Sequence, residues 1–247
     1  MIILGDSNIT AATISATNVT SSIQRDKLKT FTLANQMRTT SGSTVIDLDF
    51  GTVSAPDVSM LGLCGTNLTQ TAVIQVSYSD TNIAVPDATI LLDPFSSFNQ
   101  IMILPALLNK RYWRISISDA ALTEIWLGYL YIGKYLNIPY IEFGHNSSLQ
   151  LNSNPNVNST GQGYGGKLYN SMPVSFTMFA YLETVQEYIR IKQVKQNIDP
   201  VLIVEFPSSY DIDIYRPKYG VLTGDLTFPI TQNNLTYSVS DTFEERF

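Results

Sequence analysis

The chain has 247 residues, enough for one large domain or two small ones. Hydrophobic residues make up 44%, sufficient for a packed core, while charged residues reach only 15%, with Ser, Thr and Asn in their place. A formal charge of −6 excludes a general nucleic-acid binder, which needs basic surface to displace counterions. The low charge fits β-rich structural proteins and surfaces buried in an assembly. The single cysteine, Cys64, permits no intrachain disulfide, and its neighbours Leu61 and Leu63 mark it as a buried thiol. The start, MIILGDSNIT, lacks a basic region and a long apolar core, so the expectation is no signal peptide. No apolar run reaches the length of a membrane-spanning helix, which predicts no membrane insertion. A chain made in a cytoplasm, soluble or joined to a particle, is expected. Sequons at Asn8, Asn18, Asn67, Asn146, Asn158 and Asn234 then read as by-products of an Asn- and Thr-rich composition.

Residues 1–29 are rich in Thr, Ser and Asn and predict an arm or edge segment, with Arg25, Asp26, Lys27 and Lys29 on a solvated turn. Thr44 to Phe50, TVIDLDF, alternates Ile46, Leu48 and Phe50 against Val45, Asp47 and Asp49, the period of a strand with one dry face. Met60 to Cys64 predicts a short buried strand, and Gly65-Thr66-Asn67 a turn. Ala72 to Tyr78, Ala88 to Asp93 and Gln100 to Leu104 predict further strands. The central stretch RYWRISISDAALTEIWLGYLYIG, from Arg111 to Gly133, reads as two long core strands joined by a polar interruption at Asp119 to Thr123. On that reading Trp113 and Trp126 sit on adjacent core strands. Many short strands with regular turn signals indicate a sandwich or jelly roll.

After Pro139 the texture changes. Residues 141–168 read as a loop or connector, with Ile141-Glu142-Phe143 either a strand or an extended link and a low-complexity stretch of Asn, Ser and Gly at 146–166 that is too long for an ordinary loop. Residues 169–247 predict a small α+β domain. Tyr169 to Tyr181 is a strand, and residues 182–197 form a helix on the spacing of Leu182, Val185, Tyr188 or Ile189, and Ile191 or Val194. Early Glu183 and Glu187 and late Arg190, Lys192 and Lys195 suit its dipole, and Asp199-Pro200 stops it. Val201 to Phe206, Tyr219 to Thr227 and Thr236 to Val239 complete the strands, and the tail DTFEERF reads as charged and exposed. The expected fold is mainly β, with a jelly-roll β-sandwich over 30–140 followed by the α+β domain.

Sites for chemistry are scarce. His145 is the only histidine and has no evident partner for a nucleophilic triad. One His and one Cys cannot complete a tetrahedral metal shell. Asp47 with Asp49, and Asp211 with Asp213, alternate onto common strand faces and suit calcium or a glycosidase pair. The plainer account is acids facing water on an edge strand, which blocks edge-to-edge aggregation. The spacing Gly161-x-Gly163-x-x-Gly166 mimics a dinucleotide fingerprint but opens no helix, so it reads as a flexible loop. Tyr78, Tyr112, Tyr129, Tyr131, Tyr135 and Tyr140 would suit a sugar-binding face, although core packing accounts for most of them. The expectation is no catalytic, cofactor-binding or metal residue, no cofactor, and no enzyme.

The run RYWRISI, a short break and a strand ending in IG resembles the discoidin-like, galactose-binding-like jelly roll, with companion pieces IDLDFG, LGLCGTNLT and AVIQVSYSD over roughly residues 30 to 138. The order LYIGKYLNIP, then Gly165-Gly166-Lys167-Leu168-Tyr169, then Pro200-Val201-Leu202, then YGVLTGDL at Tyr219 to Leu226 is similar to phage virion proteins of the distal tail or baseplate kind. Residues 1–29 have no counterpart in that pattern. The resemblance implies a structural protein of a bacteriophage tail, made in the host cytoplasm. It would form a ring-shaped homo-oligomer at the tail tip and join the tail tube to baseplate hub or tail-fibre proteins. The alternative is a carbohydrate-binding module for host surface glycans.

Overall fold

The computed structural model describes residues 2–4, 7–30, 35–51, 55–92, 99–138, 140–144, 150–157, 163–195, 200–204, 218–223 and 236–246. His145, Asp211, Asp213 and Gly161 lie outside them. The chain opens with β1 (Ile2–Leu4). Next come β2 (Thr13–Ala16), the five-residue helix α1 (Ser22–Asp26), β3 (Met37–Arg38), β4 (Ser43–Asp49), β5 (Asp57–Cys64), β6 (Val73–Ser79) and β7 (Ala88–Leu92). β8 (Asn99–Asn109), β9 (Tyr112–Ser118), β10 (Trp126–Leu127) and β11 (Tyr129–Gly133) follow. The last part holds β12 (Leu136–Asn137), β13 (Tyr140–Gly144), β14 (Gln150–Val157), β15 (Gly163–Tyr181), α2 (Leu182–Lys195), β16 (Val201–Val204), β17 (Lys218–Leu222) and β18 (Thr236–Arg246).

These elements fall into two compact units. Of the described residues, 7–135 form one; 2–4 and those from 136 onward form the other. The first unit is a jelly-roll β-sandwich. Its larger sheet has the order β2-β4-β9-β6-β7 and its smaller sheet β11-β5-β8, all antiparallel. Alternation explains the larger sheet. Ile14, Ile46, Leu48, Trp113, Ile115, Ile117, Ile74 and Val76 are buried on one face, and the residues between them look outward. Leu61, Leu63 and Ile101 of the smaller sheet meet Ile74, Val76 and Ile115 in one apolar layer.

The smaller sheet is apolar on both faces: Tyr129, Leu130, Tyr131 and Ile132 all have 0% exposure. A strand without a polar face needs cover on both sides. The early chain contributes it. Two 3-10 turns, Asn8–Ala11 and Lys27–Lys29, contact β11 and bury Ile9 and Leu28. The Ser7 hydroxyl accepts the Ile132 N–H at 3.3 Å. Residues 1–29 are therefore not a free arm: β1 is paired on both sides, and β2 is an edge strand of the larger sheet.

The second unit is α+β. Its sheet runs β12-β1-β16-β17-β18-β15-β13, with β14 also on β15. Helix α2 buries Val185, Tyr188 and Ile191 in a core with Met178, Val201, Ile203, Leu222, Val239 and Phe243. Two expectations change here. The connector expected over 141–168 carries β13, β14 and the start of β15, paired from Gln150↔Ser171 to Val157↔Gly163. The tail expected to be exposed is the second half of β18, paired to β15 from Thr236↔Tyr181 to Arg246↔Ser171.

Candidate functional site

Register decides which residues share the outer face of the larger jelly-roll sheet. Ser43, Ser118 and Val73 lie opposite one another in one row. Val45, Ser116, Gln75 and Leu91 form the next outward row, and Asp47, Arg114, Ser77 and Thr89 the one after. Each row is about 7 Å from the next, two residues along the strand. The first two rows and the segment after β2 line an open groove of about 280 Å³ bounded by Thr17, Asn18, Ser43, Val45, Val73, Gln75, Ser116 and Ser118. That volume lies near the lower end of the about 300–1,000 Å³ typical of small-molecule sites.

The groove wall is braced by its own backbone. Thr17 N–H donates to Val45 O at 3.0 Å, and the Thr17 hydroxyl accepts the Val45 N–H at 2.8 Å. The Thr44 hydroxyl donates to Thr17 O at 2.8 Å. Asn18 takes the left-handed conformation with φ 57°, which Asn tolerates better than most residues. Its Nδ2 donates to Ser43 O at 2.7 Å, while its carbonyl accepts Thr40 N–H at 2.7 Å. By contrast, Gln75, Ser116 and Ser118 make no side-chain hydrogen bond among the described residues. Val73 is 50% exposed beside them. Among the described residues, no ionisable side chain lines the groove. Its chemistry is a short aliphatic floor ringed by neutral donors and acceptors.

The acids singled out from the sequence sit one and two rows further along. Asp47 and Asp49 do share a strand face, but β4 is an interior strand, and each carboxylate is held by an arginine. Arg114 donates Nε and a terminal N–H to the two oxygens of Asp47 at 2.6 and 2.8 Å. Arg111 grips Asp49 at 2.7 and 3.0 Å, and Gly51 N–H adds a bond at 2.8 Å. The Arg111 side chain, with Gly51, holds the Asp49 carboxyl below its usual range. A glycosidase acid needs the opposite shift. Beyond them, the Lys110 ammonium bridges Asp80 and Asp87 at 2.5 and 3.0 Å. Among the described residues, no group of three or more His, Cys, Asp or Glu is placed to hold a metal.

The aromatic candidates divide. Tyr129 and Tyr131 are fully buried, edge to face at 4.8 Å, and line no surface. Tyr78 packs on Trp113, with ring centroids 5.3 Å apart, and Arg111 lies 4.5 Å from the Tyr112 ring centre. Trp113 and Trp126 are not on neighbouring strands. β9 belongs to the larger sheet, whereas β10 pairs with β3, because the polar turn at 119–125 carries the chain away from that sheet. Trp126 is half-buried, with the Arg38 guanidinium 4.6 Å over its ring. Burial pushes the Cys64 thiol far up, which disfavours the thiolate a nucleophile needs. Gly163 and Gly166 lie in the β14–β15 hairpin and open no helix.

No protein-family model matches the chain, and no curated protein matches it. Solved structures do. A chitosan-binding module from a chitosanase/glucanase of Paenibacillus sp. IK-5 has 10% identity and a TM-score of 0.43, covering 52% of this chain and 99% of its own. A fucose binding module of Streptococcus pneumoniae has 13% identity and a TM-score of 0.40, covering 52% and 98%. The lectin domain of lectinolysin, complexed with Lewis B antigen, has 10% identity and a TM-score of 0.42, covering 52% and 98%. All three are sugar-binding modules.

Proposed function

We propose that the jelly-roll unit is a non-catalytic glycan-recognition module that takes a neutral sugar in the groove on its larger sheet. The carrying observation is the groove's chemistry: Gln75, Ser116 and Ser118 offer uncommitted neutral groups beside the aliphatic carbons of Val45 and Val73. Sugar hydroxyls both donate and accept, which suits amide and hydroxyl partners, and their C–H faces suit an aliphatic floor. This chain's claim to a sugar rests on its own groove, not on the ligands of the modules it is similar to. A non-catalytic role is supported at Asp47 and Asp49, each of which is bonded to an arginine, Arg114 and Arg111. The test is a glycan array with the intact protein, repeated with Gln75→Ala and Ser116→Val. Binding to neutral glycans that both variants weaken supports the reading; no binding, or binding indifferent to both, ends it. New reducing ends on incubation with envelope polysaccharide would show an enzyme instead.

A second reading concerns the other unit and is compatible with the first. The chain serves as a structural component of a phage tail tip, self-associated in a ring between tail tube and hub or fibres. Its support is the fate of the pieces that carry the resemblance. Leu136–Asn137 of LYIGKYLNIP is β12, PVL opens β16, YGVL lies in β17, and GGKLY lies in β15. These four belong to one sheet, whereas the LYIG half of the first piece, Leu130–Gly133, lies in β11 of the jelly roll. The motif order thus describes a scaffold rather than a catalytic centre. Imaging labelled protein on intact virions decides it: signal at the tail tip supports the reading, and its absence from purified particles defeats it.

A further inference from the structure

The Asp47–Arg114 pair lies on the same outer face as the groove, one row beyond Val45, Ser116 and Gln75. Nothing in the registered strands separates the two rows, and both side chains remain about one-third exposed, at 29% for Asp47 and 34% for Arg114. The two bonds between them engage two of the five guanidinium N–H donors and one lone pair on each carboxylate oxygen. Three donors and two acceptor positions are left over, side by side in one rigid fork. A pair of adjacent sugar hydroxyls presents the matching pattern, since each hydroxyl gives one hydrogen and accepts another.

Resting on the glycan reading above, we infer that Asp47 and Arg114 form a second, specificity-determining subsite of the groove. Its ligand is a neutral oligosaccharide of at least two sugar units, lying along β4 and β9. One unit occupies the row of Val45, Ser116 and Gln75. The next, about 7 Å along the strands, meets the ion pair. Neutrality follows from the pair itself. A carboxylated sugar would set a second negative charge beside Asp47, and the single Arg114 cation would have to balance both. Ser77 does not compete for the ligand, because its hydroxyl is bonded to that of Thr89 at 2.8 Å.

The experiment uses the full chain and four probes: lactose, cellotriose, triacetylchitotriose and 3′-sialyllactose. Calorimetric titrations compare the wild type with Gln75→Ala and with the double exchange Asp47→Arg, Arg114→Asp. The exchange keeps an ion pair across β4 and β9 but reverses which strand donates. Thermal melts establish that it is folded; if it is not, Arg114→Gln with Asp47→Asn replaces it. The expected result is wild-type binding to at least one neutral trisaccharide, loss with Gln75→Ala, and a tenfold or greater weakening in the exchange at an unchanged melting midpoint. Equal binding by the wild type and the exchange overturns the subsite while leaving the groove reading intact. Preference for 3′-sialyllactose over lactose overturns it as well. If no probe binds the wild type, groove and subsite fall together.

Discussion

Trp113 is the largest fully buried side chain among the described residues, and its indole N–H donates to Lys110 O at 2.9 Å. Trp113→Ala should lower stability by about 3–5 kcal/mol, through lost burial and the cavity left behind; a urea melt with an unchanged midpoint would refute this. Asp119 performs a different task. With 1% exposure, it accepts Thr69 N–H and the Thr69 hydroxyl at 2.8 Å, Ala121 N–H at 3.0 Å and the Thr71 hydroxyl at 3.2 Å. Burial alone would raise its pKa, but these donors outweigh burial and hold it below the usual carboxylate value. Its contribution is therefore present above the unfolded pKa of about 3.9 and is lost as pH falls through the lower folded value. The gap in melting midpoint between wild type and Asp119→Asn should be full at pH 6 and shrink below about pH 4; a gap constant across that range would contradict the assignment. The same turn explains Gly42, where a Cβ would come within 2.2 Å of Leu122 O and 2.6 Å of Asp119 O. Trp113 was legible in the sequence as a core-strand residue, but the Asp119 network and the need for Gly42 were not. Asp119 read only as part of a polar interruption, and Gln75, Ser116 and Ser118 were the polar half of an alternation. They become a site only once register sets β4, β9 and β6 side by side.

At the scale of elements, contrast between faces decided what the sequence disclosed. TVIDLDF, RYWRISI and AVIQVSY alternate sharply because one face is dry and the other wet, and they appear as β4, β9 and β6 close to their expected bounds. β14 and the start of β15, before Tyr169, were missed because NSSLQLNSNPNVNSTGQGYGG offers little apolar contrast and is rich in residues that disfavour strands. β18 was cut short because DTFEER reads as charged, although Asp241 within it is buried. That aspartate anchors α2 to the sheet. Lys192 Nζ and the Tyr188 hydroxyl both donate to its Oδ2 at 2.5 Å, and Thr242 N–H donates to Oδ1 at 2.7 Å. Burial, then the adjacent carboxylate, pushes the Tyr188 phenol well above its ordinary pKa, so it stays a donor across the accessible pH range. Asp241→Ala removes the carboxylate facing the buried ammonium of Lys192 and should cost about 3–5 kcal/mol. Tyr188→Phe removes one bond and should cost about 1–2 kcal/mol. Equal effects in a denaturant titration would show that the ion pair adds nothing to the hydrogen bond.

On the scale of the whole molecule, the chain is two β units of different character: a sandwich with a neutral groove, and a scaffold sheet carrying one long helix. The jelly roll was readable because its strands announce themselves. The split of the second unit was not, since the three-residue β1 leaves too faint a pattern to place. Yet β1 has the more far-reaching effect. Ile3 is paired with Leu136 on one side and Ile203 on the other. While the protein is being synthesised, the first strand emerges before either neighbour exists. One neighbour, Leu136, follows 133 residues after Ile3 (136 − 3), and the other, Ile203, later still. The sandwich in between draws on shorter-range pairings and is free to close first. Refolding should therefore pass through a state with a formed jelly roll and an unpaired beginning. Pulse-labelled hydrogen exchange would see the Ile115 amide protected early and the Ile3 amide late. Simultaneous protection of the two would mean that the halves fold as one cooperative body. If the order is as stated, the opening strand is a clasp: it can close the scaffold only after everything it must reach across has already taken shape.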